Sequence, residues 1–165
     1  MKPATCAVII IALTLTPGAP QARSASTPPA PASIALPANY QQWRHVKTQI
    51  IQEGPGFERF GGMHHIYANE RAVSGLRSRR FERGATLVAE FRELDRKGNV
   101  IDGGAIRLVD VMLFDAERFA ATDGWGYAEF IGPTLLAKTL DSRLECHACH
   151  TKRADKGHVF SELPR

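Results

Sequence analysis

No stretch of this chain is long and apolar enough to cross a bilayer as a helix. The most apolar run, Ala7 to Thr14 (AVIIIALT), falls well short of the ~20 residues a spanning helix needs. There is also no internal repeat and no block of one charge. The 165 residues carry 21 Lys and Arg against 17 Asp and Glu, a net +4. Arg77, Arg79 and Arg80 cluster locally without extending into a basic stripe. That pattern is a solvated face, and no nucleic-acid partner is expected. Cysteine is scarce, limited to Cys6, Cys146 and Cys149, and no methionine lies beyond Met112.

The start of the chain carries an export pattern instead of a span. Lys2 supplies a positive start, the short apolar run follows, and Ser24-Ala25-Ser26 fits a small-x-small cleavage site. We expect residues 1–26 to be a signal peptide and the mature protein to be periplasmic, with no membrane attachment. Cys6 precedes the apolar run, so it does not sit where a lipid-anchored cysteine would. An uncleaved anchor is the alternative, disfavoured by the shortness of the run and by Pro17 after it. Residues 27–37 carry four prolines and no charge, the composition of an extended linker. Loss of Lys2 and Arg23 leaves the remainder at +2. The folded domain is then 38–165, long enough for one core.

Within that domain, Tyr40, Trp43, Val46 and Ile50 recur at helical spacing and predict a helix over 38–52, ended by Gly54-Pro55-Gly56. Residues 63–68 predict a short strand, with Asn69 capping a helix through about Ser78. Alternation of Leu87, Ala89 and Phe91 with Thr86, Glu90 and Arg92 predicts a strand over 86–94. Asp95 to Asn99 is turn chemistry, and 105–114 is a more central strand, apolar on both faces near its end. One or two helical turns over 116–121, a strand ending near Ile131 and a helix over 140–150 complete the reading. The fold class is α+β, an antiparallel sheet with helices flanking it.

Chemistry concentrates in Cys146-His147-Ala148-Cys149-His150, which matches C-x-x-C-H, the attachment pattern of c-type haem. Two thiols three positions apart can reach the two vinyl groups of one haem, and the following imidazole can ligate its iron. One covalent haem c, held by Cys146 and Cys149 with His150 on the metal, is the leading reading. A disulfide or redox pair needs only the cysteines, but it normally opens a helix in a βαβ unit. Zinc needs further ligands, and no second paired cluster supplies them. His147 is a spacer residue in this reading. His150 stands 15 residues before the end of the chain, with no methionine downstream. Met63 and Met112 lie upstream, and Met112 sits in an apolar strand as a core residue would. A vacant or weakly held sixth iron position is therefore expected.

Beyond the motif, the chain resembles the cytochrome P-460 family, which includes the β-sheet type of cytochrome c′. The resemblance rests on Tyr40-Gln41-Gln42-Trp43 with Val46, Ile66 to Asn69, Phe81 to Ala85, the strand ending in Glu90, Gly124 to Tyr127, the haem motif and Val159-Phe160. It implies a small α+β fold with one c-type haem, usually a homodimer, whose five-coordinate iron handles hydroxylamine or nitric oxide. It also implies a lysine cross-linked to the haem, just before the glutamate matching Glu90, and here that position is Ala89. Alanine cannot form the bond, so the lysine-free cytochrome c′-like gas binder is the better comparison. In such relatives phenylalanines cap the open face, and Phe60 and Phe81 are the matching positions, with plain core aromatics the alternative.

His64 and His65 point to opposite faces if 63–68 is a strand, and either is a candidate distal residue or a surface or hydrogen-bonded histidine. The readings left open are a nitric oxide binder, an enzyme oxidising hydroxylamine or nitric oxide, and an electron carrier with a redox partner protein.

Overall fold

The computed structural model describes residues 33–54 and 57–164. The expected signal peptide and most of the expected linker lie outside the described residues. Among those described, no helix is long and apolar enough to cross a membrane.

Six antiparallel strands form one sheet in sequence order: β1 (Arg44–Ile51), β2 (Gly62–Ala68), β3 (Thr86–Lys97), β4 (Val100–Phe114), β5 (Trp125–Ile131) and β6 (Leu136–Lys138). Every neighbour in the sheet is thus a neighbour in the chain. Short helices α1 (Phe57–Phe60) and α2 (Glu70–Ser78) sit between strands. After β6 comes a π-helical turn, Ser142–His147, that continues as α3 (Ala148–His150) and then a 3-10 turn, Thr151–Lys156. The α+β class and the hairpin of β3 with β4 are as expected. The turn between them is tighter than the sequence indicated, because pairing runs to Lys97↔Val100 and leaves only Gly98 and Asn99.

The helix expected over 38–52 is not formed. Tyr40–Gln42 is one 3-10 turn, and Arg44–Ile51 is the edge strand β1. The helical spacing was produced by two different elements. Tyr40 and Trp43 belong to the turn, and a register shift between His45 and Lys47 moves Val46 into the core. Beyond that shift burial alternates residue by residue, and Val46, Thr48, Ile50 and Ile51 are β-branched, which suits a strand. Ile34 and Leu36 pack on the sheet as well, so the packed region reaches back into the expected linker.

The sheet buries both faces. On one, Ile66, Ala68, Leu87, Trp125 and Tyr127 form a core with Ala72 of α2 and Val159 near the C-terminus, and Ala89, Phe81 and Cys146 pack against it. On the other, Val88, Val109, Val111 and Phe130 pack with Tyr40. The second face also holds a buried charge. Glu90 is 1% exposed and accepts from Tyr40 Oη at 2.6 Å, Gln41 Nε2 at 2.8 Å and Arg92 Nε at 2.5 Å. Three donors compensate a carboxylate that burial alone would disfavour, and its pKa lies below the usual value.

Asn69 caps α2 as its position before Glu70 indicated. Its Oδ1 accepts from Ala72 N at 2.9 Å and Thr86 N at 3.1 Å, while Nδ2 donates to Gly84 O at 2.9 Å. One side chain therefore ties the start of α2 to the start of β3. Asn69→Ala should lower stability by about 2 kcal/mol, a cap of about 1 plus the partners left unmade. Urea denaturation measures it. Asn69→Asp, which keeps the acceptor and loses the donor, should cost less.

Candidate functional site

Strand register decides which side chains share the face carrying Cys146. Ala89 of β3 pairs with Ile66 of β2 and Asp110 of β4, and Asp110 pairs with Glu129 of β5. His64 pairs with Phe91 on the same face. His65 lies on the opposite face, where its Nδ1 is hydrogen-bonded to Thr48 Oγ1 at 2.8 Å. The expected opposition of His64 and His65 is therefore observed.

Over this face the turn Ser142–His147 is started by Asp141, whose Oδ1 accepts from Arg143 N at 3.0 Å and Leu144 N at 3.2 Å. An ion network fastens it to the sheet. Glu129 is bound by Arg59 Nη2 at 2.6 Å and by Lys138 Nζ at 2.9 Å, and both cations reach Glu145, at 3.6 and 3.4 Å. Glu145 immediately precedes Cys146, so the network sets where the motif begins.

Cys146 and Cys149 are not joined to each other, Cys149 being exposed and Cys146 half-buried. Burial, with Asp110 and Glu129 nearby, pushes the Cys146 thiol up to about 12, so it is a protonated thiol at neutral pH. His150 Nδ1 donates to the His158 carbonyl at 2.7 Å, which assigns the tautomer and leaves Nε2 with its lone pair free. Burial is the main cause holding His150 below the usual histidine pKa, outweighing that bond, so the ring is neutral at pH 7. It sits between Tyr127 and Phe160, with ring centroids 5.2 and 5.0 Å away. Two unbonded thiols and a neutral imidazole with one nitrogen already committed are a donor set that fits a c-type haem.

The phenylalanines are placed apart. Phe60 contacts Phe91 at 5.7 Å between centroids, beside His64. Phe81 stacks edge-on against Trp125 at 4.8 Å and lies so close to Gly75 and Gly157 that a Cβ at either would collide with its ring. Phe60 thus lies beside Phe91, in the middle of β3, and Phe81 beside Trp125 at the start of β5, and the two make no ring contact with each other among the described residues. His64 Nε2 is hydrogen-bonded to the Phe60 carbonyl and its Nδ1 faces Gln49 Nε2 at 3.5 Å. Met112 packs in the first core, and Met63 is buried beside Gly103 and Arg92.

A family model, Cytochrome P460, matches residues 37–161. The chain belongs to the cytochrome P460 family. It is accordingly a haem-binding cytochrome, as the motif and the resemblance indicated. No curated protein matches it.

The sequence reading passed over Asp110, Glu129 and Arg59. The available signal was a single acid inside each of two otherwise apolar strands, LVDVMLF and WGYAEFI. Burial, then the charge of Glu129, raises the Asp110 carboxyl to about 7. Burial would raise Glu129 too, but the hydrogen bonds from Arg59 and Lys138 outweigh it and keep that carboxylate ionised. As pH rises from the ordinary value of 3.8 towards 7, the unfolded chain releases the Asp110 proton while the folded chain keeps it. Stability contributed by this site therefore falls across that window. Asp110→Asn retains a donor to Glu129 and removes the titration. Its stability relative to the parent, from urea midpoints, should improve steadily between pH 4 and pH 7.

Proposed function

We propose that this cytochrome carries one haem c, joined through thioethers to Cys146 and Cys149 and ligated by His150 Nε2. We further propose that its other iron face is left open for a small neutral nitrogen species such as nitric oxide. The observation that supports the axial assignment is the His150 Nδ1–His158 O bond, which orients the imidazole and leaves only Nε2 to ligate. The haem supplies an iron that binds diatomic ligands, and the chain decides which positions on it remain free.

The side chains that compete for the sixth position are otherwise engaged. His64 is held at both ring nitrogens, His65 faces the far side of the sheet, and Met112 is a core residue. Ala89 puts a methyl on the face shared with Cys146 where cross-linked relatives have an amine. Phe60 and Phe81 are proposed to bound the open face from its two ends, excluding water and anions by their apolar rings. Export to the periplasm through residues 1–26, a homodimeric state and exchange of electrons with a partner protein belong to the same proposal.

A second reading is supported by Asp110. A carboxyl raised to about 7 beside Cys146, next to the ionised Glu129, suits an enzyme that must move protons while oxidising hydroxylamine or nitric oxide.

Absorption spectra of the purified protein, oxidised and reduced, with and without nitric oxide, test the first reading. A haem that survives denaturation, a five-coordinate ferrous state and a spectral shift on adding nitric oxide are expected. A six-coordinate ferrous haem without added ligand would sink it. Cys149→Ser should weaken covalent retention while keeping His150. Turnover of hydroxylamine with an electron acceptor, abolished in Asp110→Asn, would favour the enzyme.

A further inference from the structure

Next to His150, whose Nδ1 is bonded to the His158 carbonyl, three side chains converge. Asp123 comes from the turn before β5, His147 from inside the C-x-x-C-H motif, and His158 from the C-terminal segment. We propose that they form a binding site for a divalent transition-metal ion of the zinc or copper type, separate from the haem. One oxygen donor and two imidazoles, with room for solvent, is the ligand class such ions take.

The geometry carries this. Asp123 Oδ2 lies 3.1 Å from His147 Nε2 and 3.7 Å from His158 Nε2. The ligand atoms of the three residues all fall within 4.8 Å of one another. In a tetrahedral site with metal–ligand bonds near 2.0–2.1 Å, donor atoms stand about 3.3 Å apart. Two separations already bracket that value, and the third lies within 4.8 Å.

The surroundings match a ligating role. His147 and His158 are 12% and 16% exposed while Asp123 is 59% exposed, so two imidazoles are fixed in the wall and the carboxylate opens to solvent. The second nitrogen of His147 is held, its Nδ1 being hydrogen-bonded to Tyr127 Oη at 3.3 Å. The Nδ1 of His158 is buried and has no hydrogen-bond partner among the described residues, and its Nε2 faces Asp123. The His158 backbone is also in the left-handed region, φ 66°, a conformation histidine adopts at a cost. That conformation turns the ring toward His147 while its N–H bonds to Arg153 O at 2.8 Å and its carbonyl receives His150. A cation held here is one residue and one hydrogen bond from the imidazole assigned to the iron, so its arrival should register in the haem spectrum.

Zn2+ is the probe, because it brings no redox chemistry of its own, and the haem-loaded mature protein is titrated with it in competition with a chromophoric chelator. One Zn2+ per chain is expected, with Ca2+ failing to compete. Asp123→Asn, conservative at an exposed left-handed position (φ 51°), and His147→Gln should each weaken binding at least tenfold without loss of haem. His45→Ala, in the His45–Thr48–His65 group on the far face, should leave it unchanged. Zinc-edge X-ray absorption should show two imidazole nitrogens and at least one oxygen. Equal affinity in Asp123→Asn and the parent, loss of binding in His45→Ala, or a shell lacking two imidazoles would each overturn the site.

Discussion

The indole N–H of Trp125 donates to the Gly157 carbonyl at 3.0 Å, and through this bond the sheet holds the segment that orients His150. Trp125 is fully buried at the start of β5, edge-on to Phe81 and Phe114. Gly157 has φ 64°, and a Cβ there would meet the Phe81 ring, so the turn can lie against the aromatic cluster only as glycine. His158 follows directly and offers its carbonyl to His150 Nδ1. The His150 imidazole is thus oriented from the start of β5, not by its own short helix.

A second constraint fixes the other end of the motif. Glu129 is buried in a strand and needs its two cations, and those cations also hold Glu145. Desolvation makes such a cluster intolerant of partial occupancy, because one lost partner strands a buried charge. Its consequence is positional. Cys146 is anchored from the β5–β6 side and His150 from the Trp125 side, so both ends of a five-residue motif are set by long-range contacts.

The alternation in β3, the apolar character of β4, the Asn69 cap and the turn before β4 were legible because each depends on neighbours in the chain. The edge strand β1 was not. Its apolar residues recur at helical spacing, and only pairing with β2 distinguishes a bulged strand from a helical stripe. Asp110 and Glu129 were visible as acids in apolar strands, yet the effect of Glu129 on the Asp110 carboxyl arises from register, which places them side by side across β4 and β5. The resemblance pairs Phe60 with Phe81, whereas packing sets Phe60 against Phe91 in the middle of β3 and Phe81 against Trp125 at the start of β5.

What the sequence by itself determined is the chemistry of the motif: two thiols and an imidazole at a spacing that suits one haem, with alanine at position 89. The family match over residues 37–161 supports a haem cofactor. Tertiary structure decided what surrounds it. It chose His64 over His65 for the motif's face, freed Nε2 of His150 by occupying Nδ1, and turned His147 from a spacer into a partner of Asp123 and His158. The physical reason is range. Covalent spacing sets which groups a segment carries, whereas pairing register and packing across dozens of residues set which groups meet.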